Sequence, residues 1–173
     1  MLASHYRRKG FVIAAQDEAT FGLLPNIVRG WARKGSRPRM VQHPQHKKIN
    51  VFGARSKRGF AYFFSKHKNQ RIFVRQMEQL HKRWGKVCLF ADNAKWHGGE
   101  YVDKFLAAHR RTFRLFRFLK YAPELNPVEQ CWKPARKRTG NRLLHTLPAL
   151  QYHLKMVFGK PSLLPKMFHY LAN

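Results

Sequence analysis

The chain has few acids. Eight Asp and Glu stand against 35 Lys and Arg in 173 residues, a formal net charge of +27. Cysteine is scarcer still: Cys88 and Cys131 are the only two. That is too few for a disulfide scaffold and points to a reducing cytoplasm. Long apolar runs are missing, and none approaches the ~20 residues that a membrane span needs. Residues 11–15, the first apolar run after the basic 6–10, are too short for a signal peptide. The ten histidines show no zinc-finger spacing.

What remains is a chain that can fold. Apolar residues make up 44% and aromatics 14%, with 14 Phe, which excludes a disordered arm. A chain of this size forms one domain and buries roughly 70% of its unfolded surface. So much positive charge in a compact body calls for a polyanionic partner. Nucleic acid is favoured, because each Lys or Arg placed on a phosphate releases a counterion. A membrane surface is the weaker partner, since no strongly basic amphipathic helix stands out. Burial in structural RNA, as in a ribosomal protein, is the other role this charge allows.

With eight acids, each position can be inspected. Glu78, Glu100 and Asp103 read as solubilising residues on helix faces, whereas Asp17, Glu18, Asp92, Glu124 and Glu129 end strand-like runs or flank a Pro-bounded turn. Residues 11–17 and 86–92 are apolar strands, each delivering an Asp at its C-terminal end. Between them, 49–55 and 59–64 form a hairpin and 71–84 a helix. Residues 101–108 are a second helix and 112–119 a fifth strand, followed by helical segments. Strands first, then strand–helix alternation, predict a mixed α/β sheet with helices on its faces. The longest irregular stretch, 24–48, holds seven Lys and Arg, and Trp31 reads as its folded anchor.

Residues 121–132 read Tyr-Ala-Pro-Glu-Leu-Asn-Pro-Val-Glu-Gln-Cys-Trp. Local physics makes this a turn feeding a helix, with Asn126 as N-cap, Pro127 at the first helical position and Glu129 at the third. A capping pair of this kind is complete without any catalysis. The segment nevertheless resembles the signature of the mariner-like superfamily of DDE transposases, in particular the bacterial insertion-sequence branch. Gln16-Asp17-Glu18-Ala19-Thr20-Phe21 resembles the family's first acidic strand end, and Phe90-Ala91-Asp92-Asn93-Ala94-Lys95-Trp96-His97 its Asp-Asn-x-x-x-His segment. Gly30 to Gly35 and Asn50 to Ala54 are similar to the region between. The 36 residues from Asp92 to Glu129 are slightly more than the family's usual gap.

The resemblance implies a ribonuclease H-like fold, a five-stranded mixed sheet flanked by helices, with the first and fourth strands side by side. It implies that Asp17, Asp92 and Glu129 are the catalytic, metal-binding carboxylates, with Glu124 at a nearby position that is often acidic in the family. Two Mg²⁺, for which Mn²⁺ substitutes, would be the cofactors in DNA strand cleavage and strand transfer during transposition. Such ions suit carboxylate oxygens rather than thiols. Lys133, Arg136, Lys137, Arg138 and Arg142 would form a DNA track beyond Glu129, joined by Arg33 and Lys34 of the irregular stretch. His97 either orients a phosphate or the attacking water, or caps the next helix. Trp132 packs to fix the helix of Glu129, and Glu18 points to the opposite side of its strand in a structural role. Relatives carry helix-turn-helix modules before the first strand, whereas ten residues precede Phe11 here. The expectation is a catalytic domain alone over 1–173, paired as a homodimer on transposon ends and target DNA, with any helix-turn-helix module supplied from an upstream frame or subunit. It would be nucleoid-associated in a bacterial cytoplasm. The competing reading is a decayed relic that binds DNA without cutting it.

Overall fold

The first strand, β1 (Val12–Gly22), is the spine of the molecule. In the computed structural model, which describes residues 2–24, 26–39, 46–119 and 125–165, it pairs on both sides. Antiparallel β2 (Lys48–Ser56) lies along one edge, and β3 (Gly59–Ser65) pairs with β2 as a hairpin. Along the other edge runs parallel β4 (Val87–Ala91), followed outward by parallel β5 (Phe113–Arg117). The order is β3-β2-β1-β4-β5, the mixed five-stranded sheet expected, with the first and fourth strands adjacent.

Helices cover both faces. Before β1 comes α1 (Leu2–Arg8), and between β3 and β4 comes α2 (Gln70–Trp84), whose N-cap Asn69 accepts the Ile72 N–H at 3.0 Å. A one-turn 3₁₀ segment (Lys95–His97) and α3 (Glu100–Ala108) separate β4 from β5. After β5 come α4 (Pro127–Thr139), α5 (Leu147–Phe158) and a short 3₁₀ turn (Pro161–Leu163). Strand alternation divides the core. Val12 and Ala14 of β1 pack with Phe73, Met77, Leu80 and Trp84 of α2 and with α3. Ile13, Ala15, Ala19 and Phe21 pack with Val128, Cys131 and Trp132 of α4 and with α5. Among the described residues no helix is long and apolar enough to cross a membrane.

Two expectations change, and one helix appears that none foresaw. First, β1 does not end at Asp17. It continues to Gly22, because β2 supplies a ladder partner for every residue from Asp17↔Gly53 to Gly22↔Lys48. Pairing across the sheet extends a strand beyond its apolar run. Second, α1 carries only one buried residue, Ala3, so it has no apolar period by which to be seen in the sequence. Third, Trp31 anchors nothing: it is fully exposed. The stretch is tied down by Asn141, whose side chain donates to the Val28 carbonyl (2.8 Å) and accepts the Val28 N–H (3.0 Å). The Asn141 N–H donates to the Asn26 carbonyl at 2.9 Å. Val28 lies so close to Gly140 that a β-carbon there would come within 2.7 Å of it.

Gly53, directly across from Asp17, makes room on the α4 face they share. A β-carbon at this position would sit 2.6 Å from Trp132 Cη2 and 2.8 Å from Phe60 Cζ. The absent side chain lets the edge of the Trp132 indole approach β2. Gly53→Ala should therefore lower the free energy of unfolding by about 1–3 kcal/mol, the usual range for overpacking a full core. Urea titration of the metal-free protein measures it, and an unchanged midpoint would show that the indole has room to move.

Candidate active site

The parallel ladder between β1 and β4 is last recorded at Ala15↔Phe90. Two residues further along each chain stand Asp17, still within β1, and Asp92, just past the end of β4. Asp17 faces α4 by alternation. Its Oδ2 accepts the Trp132 indole N–H at 2.6 Å, and the residue is 7% exposed. Trp132 is held edge-on by Phe21 of β1, Phe60 of β3 and Phe158 of α5, with ring centroids 5.8–6.3 Å away. Packing that fixes the helix was the expected role of Trp132; the hydrogen bond to Asp17 is additional.

Glu129 sits in the first turn of α4, whose start is built as the motif predicts. Asn126 is the N-cap, its side-chain oxygen accepting the Val128 N–H at 3.1 Å, and Pro127 opens the helix. The same Asn126 amide donates to the Gln16 carbonyl at 2.9 Å. This cap therefore also fastens α4 to β1 one residue before Asp17. Glu129 itself is exposed, and its charge is felt at Asp17. Glu124 lies outside the described residues.

Asp92 lies just past β4 with its side chain half exposed. Its Oδ1 accepts from His97 Nδ1 at 2.8 Å and from the Ala94 N–H at 3.0 Å; Oδ2 takes part in neither bond. His97 is fully buried, and its Nε2 bonds Glu18 Oε1 at 2.7 Å. Neither role expected of His97 describes this position. It is closed off from a phosphate, and it leaves α3 without a side-chain cap. Glu18 does point to the face opposite Asp17, yet it closes a chain Glu18–His97–Asp92 around the strand end. Arg117 of β5 completes the group, donating to the main-chain carbonyls of Asp92 (3.0 Å) and His97. The sequence offers one sign of Glu18, its place beside Asp17, but the contact to His97 spans 79 residues.

The basic residues of the expected track do not share one continuous helix face. Lys133, Arg136, Lys137, Arg138 and Arg142 are all exposed, as are Arg33 and Lys34. Lys133 and Arg136, at i+4 and i+7 from Glu129, share its flank. Arg138 falls on the other flank, and Arg142 lies beyond the end of α4 at Thr139. Arg136 rests its guanidinium over the Phe21 ring, 5.6 Å from its centre.

Electrostatics separate the two aspartates. Burial, with the charges of Glu129 and Glu18, raises Asp17 from 3.8 to about 7, although the Trp132 hydrogen bond opposes this. The hydrogen bond from His97 holds Asp92 below the usual carboxylate range despite its partial burial. Burial pulls His97 down, but its bonds to Asp92 and Glu18 and their charges outweigh this and bring it up to about 9. Among the described residues no three His, Cys, Asp or Glu side chains are gathered closely enough to hold a metal ion as they stand. The donor set nonetheless suits a hard divalent cation. It consists of carboxylates, and Asp17 is pushed up chiefly by burial and further by its negative neighbours Glu129 and Glu18. Cys88 and Cys131, both buried and both pushed up to about 12, offer no thiolate.

The raised Asp17 has a consequence for stability. Below about pH 4 it is protonated in the folded and unfolded chains alike. Between about pH 4 and 7 the unfolded chain has released the proton that the folded chain keeps, so stability falls as pH rises. Above about 7 the loss is complete, on the order of 2–4 kcal/mol for a shift of this size. Asp17→Asn keeps an acceptor for Trp132 and escapes the loss. In EDTA the variant should be more stable than the parent at pH 8, with the gap closing toward pH 4 in thermal unfolding. A gap independent of pH would mean that Asp17 is ionised throughout.

Comparison with known proteins meets this geometry. Residues 12–151 match the DDE superfamily endonuclease family. No curated protein matches the sequence. Among solved structures, the mariner Mos1 paired end complex with Mg superposes with a TM-score of 0.71 at 17% identity, covering 94% of this chain and 53% of that one. The Mos1 transposase paired-end complex with left transposon end gives 0.69 at 19%, covering 91% and 51%. The isolated catalytic domain of Mos1 mariner transposase gives 0.63 at 18%, covering 91% and 76%. The chain thus spans about half the length of the Mos1 chains in those complexes, and what it shares with them is the ribonuclease H-like fold. With the family match running from the first residue of β1 into α5, this chain belongs to the DDE superfamily of endonucleases.

Proposed function

We propose that the chain is the catalytic domain of a mariner-like transposase of the insertion-sequence type, which cuts DNA at element ends and joins the freed 3′-hydroxyl to target DNA. The observation that supports this most directly is the placement of Asp17 within β1 and of Asp92 just past the end of the adjacent parallel strand β4, with Glu129 in a helix turn bonded to β1. These three would hold Mg²⁺ or Mn²⁺, and the Mos1 structures with Mg and with Mn support that choice. When bound, a pair of such ions activates the attacking oxygen and stabilises charge on the leaving oxygen of a phosphodiester. The chain's own groups hold the site and the substrate. Asn126 and Trp132 keep the turn of Glu129 against β1. Lys133, Arg136 and Lys137 offer a phosphate backbone a positive path from the carboxylates, and Arg138, Arg142, Arg33 and Lys34 widen the field around it. A homodimer on transposon ends and a helix-turn-helix partner for end recognition belong to the same proposal. The net charge of +27 is suited to DNA as the partner of the whole assembly.

Supercoiled plasmid tests the reading. The purified chain should nick it with Mg²⁺ or Mn²⁺ and not in EDTA, and Asp92→Asn and Glu129→Gln should bind equally well without nicking. Equal binding with no nicking by any protein, even when an end-binding module is supplied, would identify a DNA-binding relic instead. Nicking that survives Glu129→Gln but not Glu124→Gln would move the third carboxylate. In a separate measurement, replacing Lys133, Arg136 or Lys137 by Ala should each reduce the slope of log K against log salt by about 1. Unchanged slopes would place the DNA on another surface.

A further inference from the structure

Glu18 lies outside the proposed carboxylate trio and on the opposite face of β1, yet three donors converge on it. Gln16 Nε2 reaches Oε1 at 2.6 Å, His97 Nε2 reaches the same oxygen at 2.7 Å, and Trp96 Nε1 reaches Oε2 at 3.3 Å. Its side chain is 3% exposed. A carboxylate withdrawn from water is costly unless it is paired and hydrogen-bonded, and an acid present only for solubility would remain at the surface. What this one does is grip a histidine. The His97 ring lies against Phe73 with centroids 4.1 Å apart, and its backbone carbonyl is held by Arg117. Clamped at Nε2 and on its face, the ring presents Nδ1 to Asp92 Oδ1 at 2.8 Å and to the Asp92 carbonyl at 3.2 Å. The Ala94 N–H binds that same Oδ1. One oxygen of the half-exposed Asp92 is therefore fixed from inside the protein, and the other is outside these bonds.

We propose that Glu18 and His97 are positioning residues for the active site: through the clamped imidazole, Glu18 fixes the Asp92 carboxylate by Oδ1 and so leaves Oδ2 for a divalent cation. This rests on the reading of Asp17, Asp92 and Glu129 as cation ligands. Carboxylate–histidine pairs behind a ligand orient it by the same physics, and their loss typically weakens metal binding 10–100-fold.

The test is Mn²⁺ binding by the whole chain, read from loss of the free-ion signal in electron paramagnetic resonance, beside thermal unfolding in EDTA. Glu18→Gln should remain folded and bind Mn²⁺ about 10–100-fold more weakly than the parent. His97→Asn, which keeps a donor toward Asp92 but severs the link to Glu18, should show the same loss and serves if Glu18→Gln does not fold. The bound-ion line shape should broaden in both, a change that loss of stability in a folded protein does not produce. Parental affinity in the folded variants, with binding lost in Asp92→Asn, would overturn the positioning role and leave the ligand reading intact. A parent chain that binds no Mn²⁺, or an Asp92→Asn chain that binds it as well as the parent, would overturn the ligand reading and this inference with it.

Discussion

The hydrogen bond from Trp132 to Asp17 is the contact on which the site depends. It joins the central strand to the helix that carries Glu129, across 115 residues of chain, inside a core face otherwise closed by aromatic rings. Its geometry has requirements on both sides. Gly53 must lack a side chain so that the indole can approach β2, and Phe21, Phe60 and Phe158 must surround the ring so that its N–H points in one direction. The bond from Asn126 to the Gln16 carbonyl fastens the start of the same helix. Two polar contacts, each satisfied in a buried setting, therefore decide where the first turn of α4 lies, while apolar packing decides only that it lies on this face.

The two aspartates are held from opposite sides of the sheet. Asp17 is gripped from the α4 face by a neutral indole. Asp92, at the open end of β4, is gripped from the α2 and α3 face by an imidazole that Glu18 clamps in turn. The strand end is where the faces meet, because β4 stops at Ala91 and the following 3₁₀ turn can bring His97 around it. Among 35 Lys and Arg, the charge partner chosen for Asp92 is a histidine, and the guanidinium of Arg117 goes to backbone carbonyls. The arginines and lysines of α4 remain exposed.

Much of this architecture is legible in the amino-acid order. Apolar runs of the right length locate the strands of the hairpin, β4 and β5 to within a residue or two, because each run sets apolar side chains into or against the core. The Asn-Pro-Val-Glu segment announces the start of α4, since capping is chemistry between neighbours. The full length of β1 is hidden because its second half is a strand by virtue of pairing with β2. Trp31 misleads because a large apolar residue in a loop looks like an anchor, whereas the real anchor is the pairing of Asn141 with the Val28 backbone, 113 residues away. Alternation along β1 gives Glu18 a structural place on the far face, and alternation says nothing about what waits there.

By itself the sequence determined the order of the strands and of the helices between them, and the charge that suits a polyanion. These are set by local periodicity, capping and composition. The tertiary structure decided which polar groups meet: Trp132 with Asp17, Asn126 with Gln16, Glu18 with His97 and His97 with Asp92. Three of these four contacts join residues 79 or more positions apart. Their existence depends on sheet order and helix placement, quantities that no stretch of sequence short enough to read by period contains.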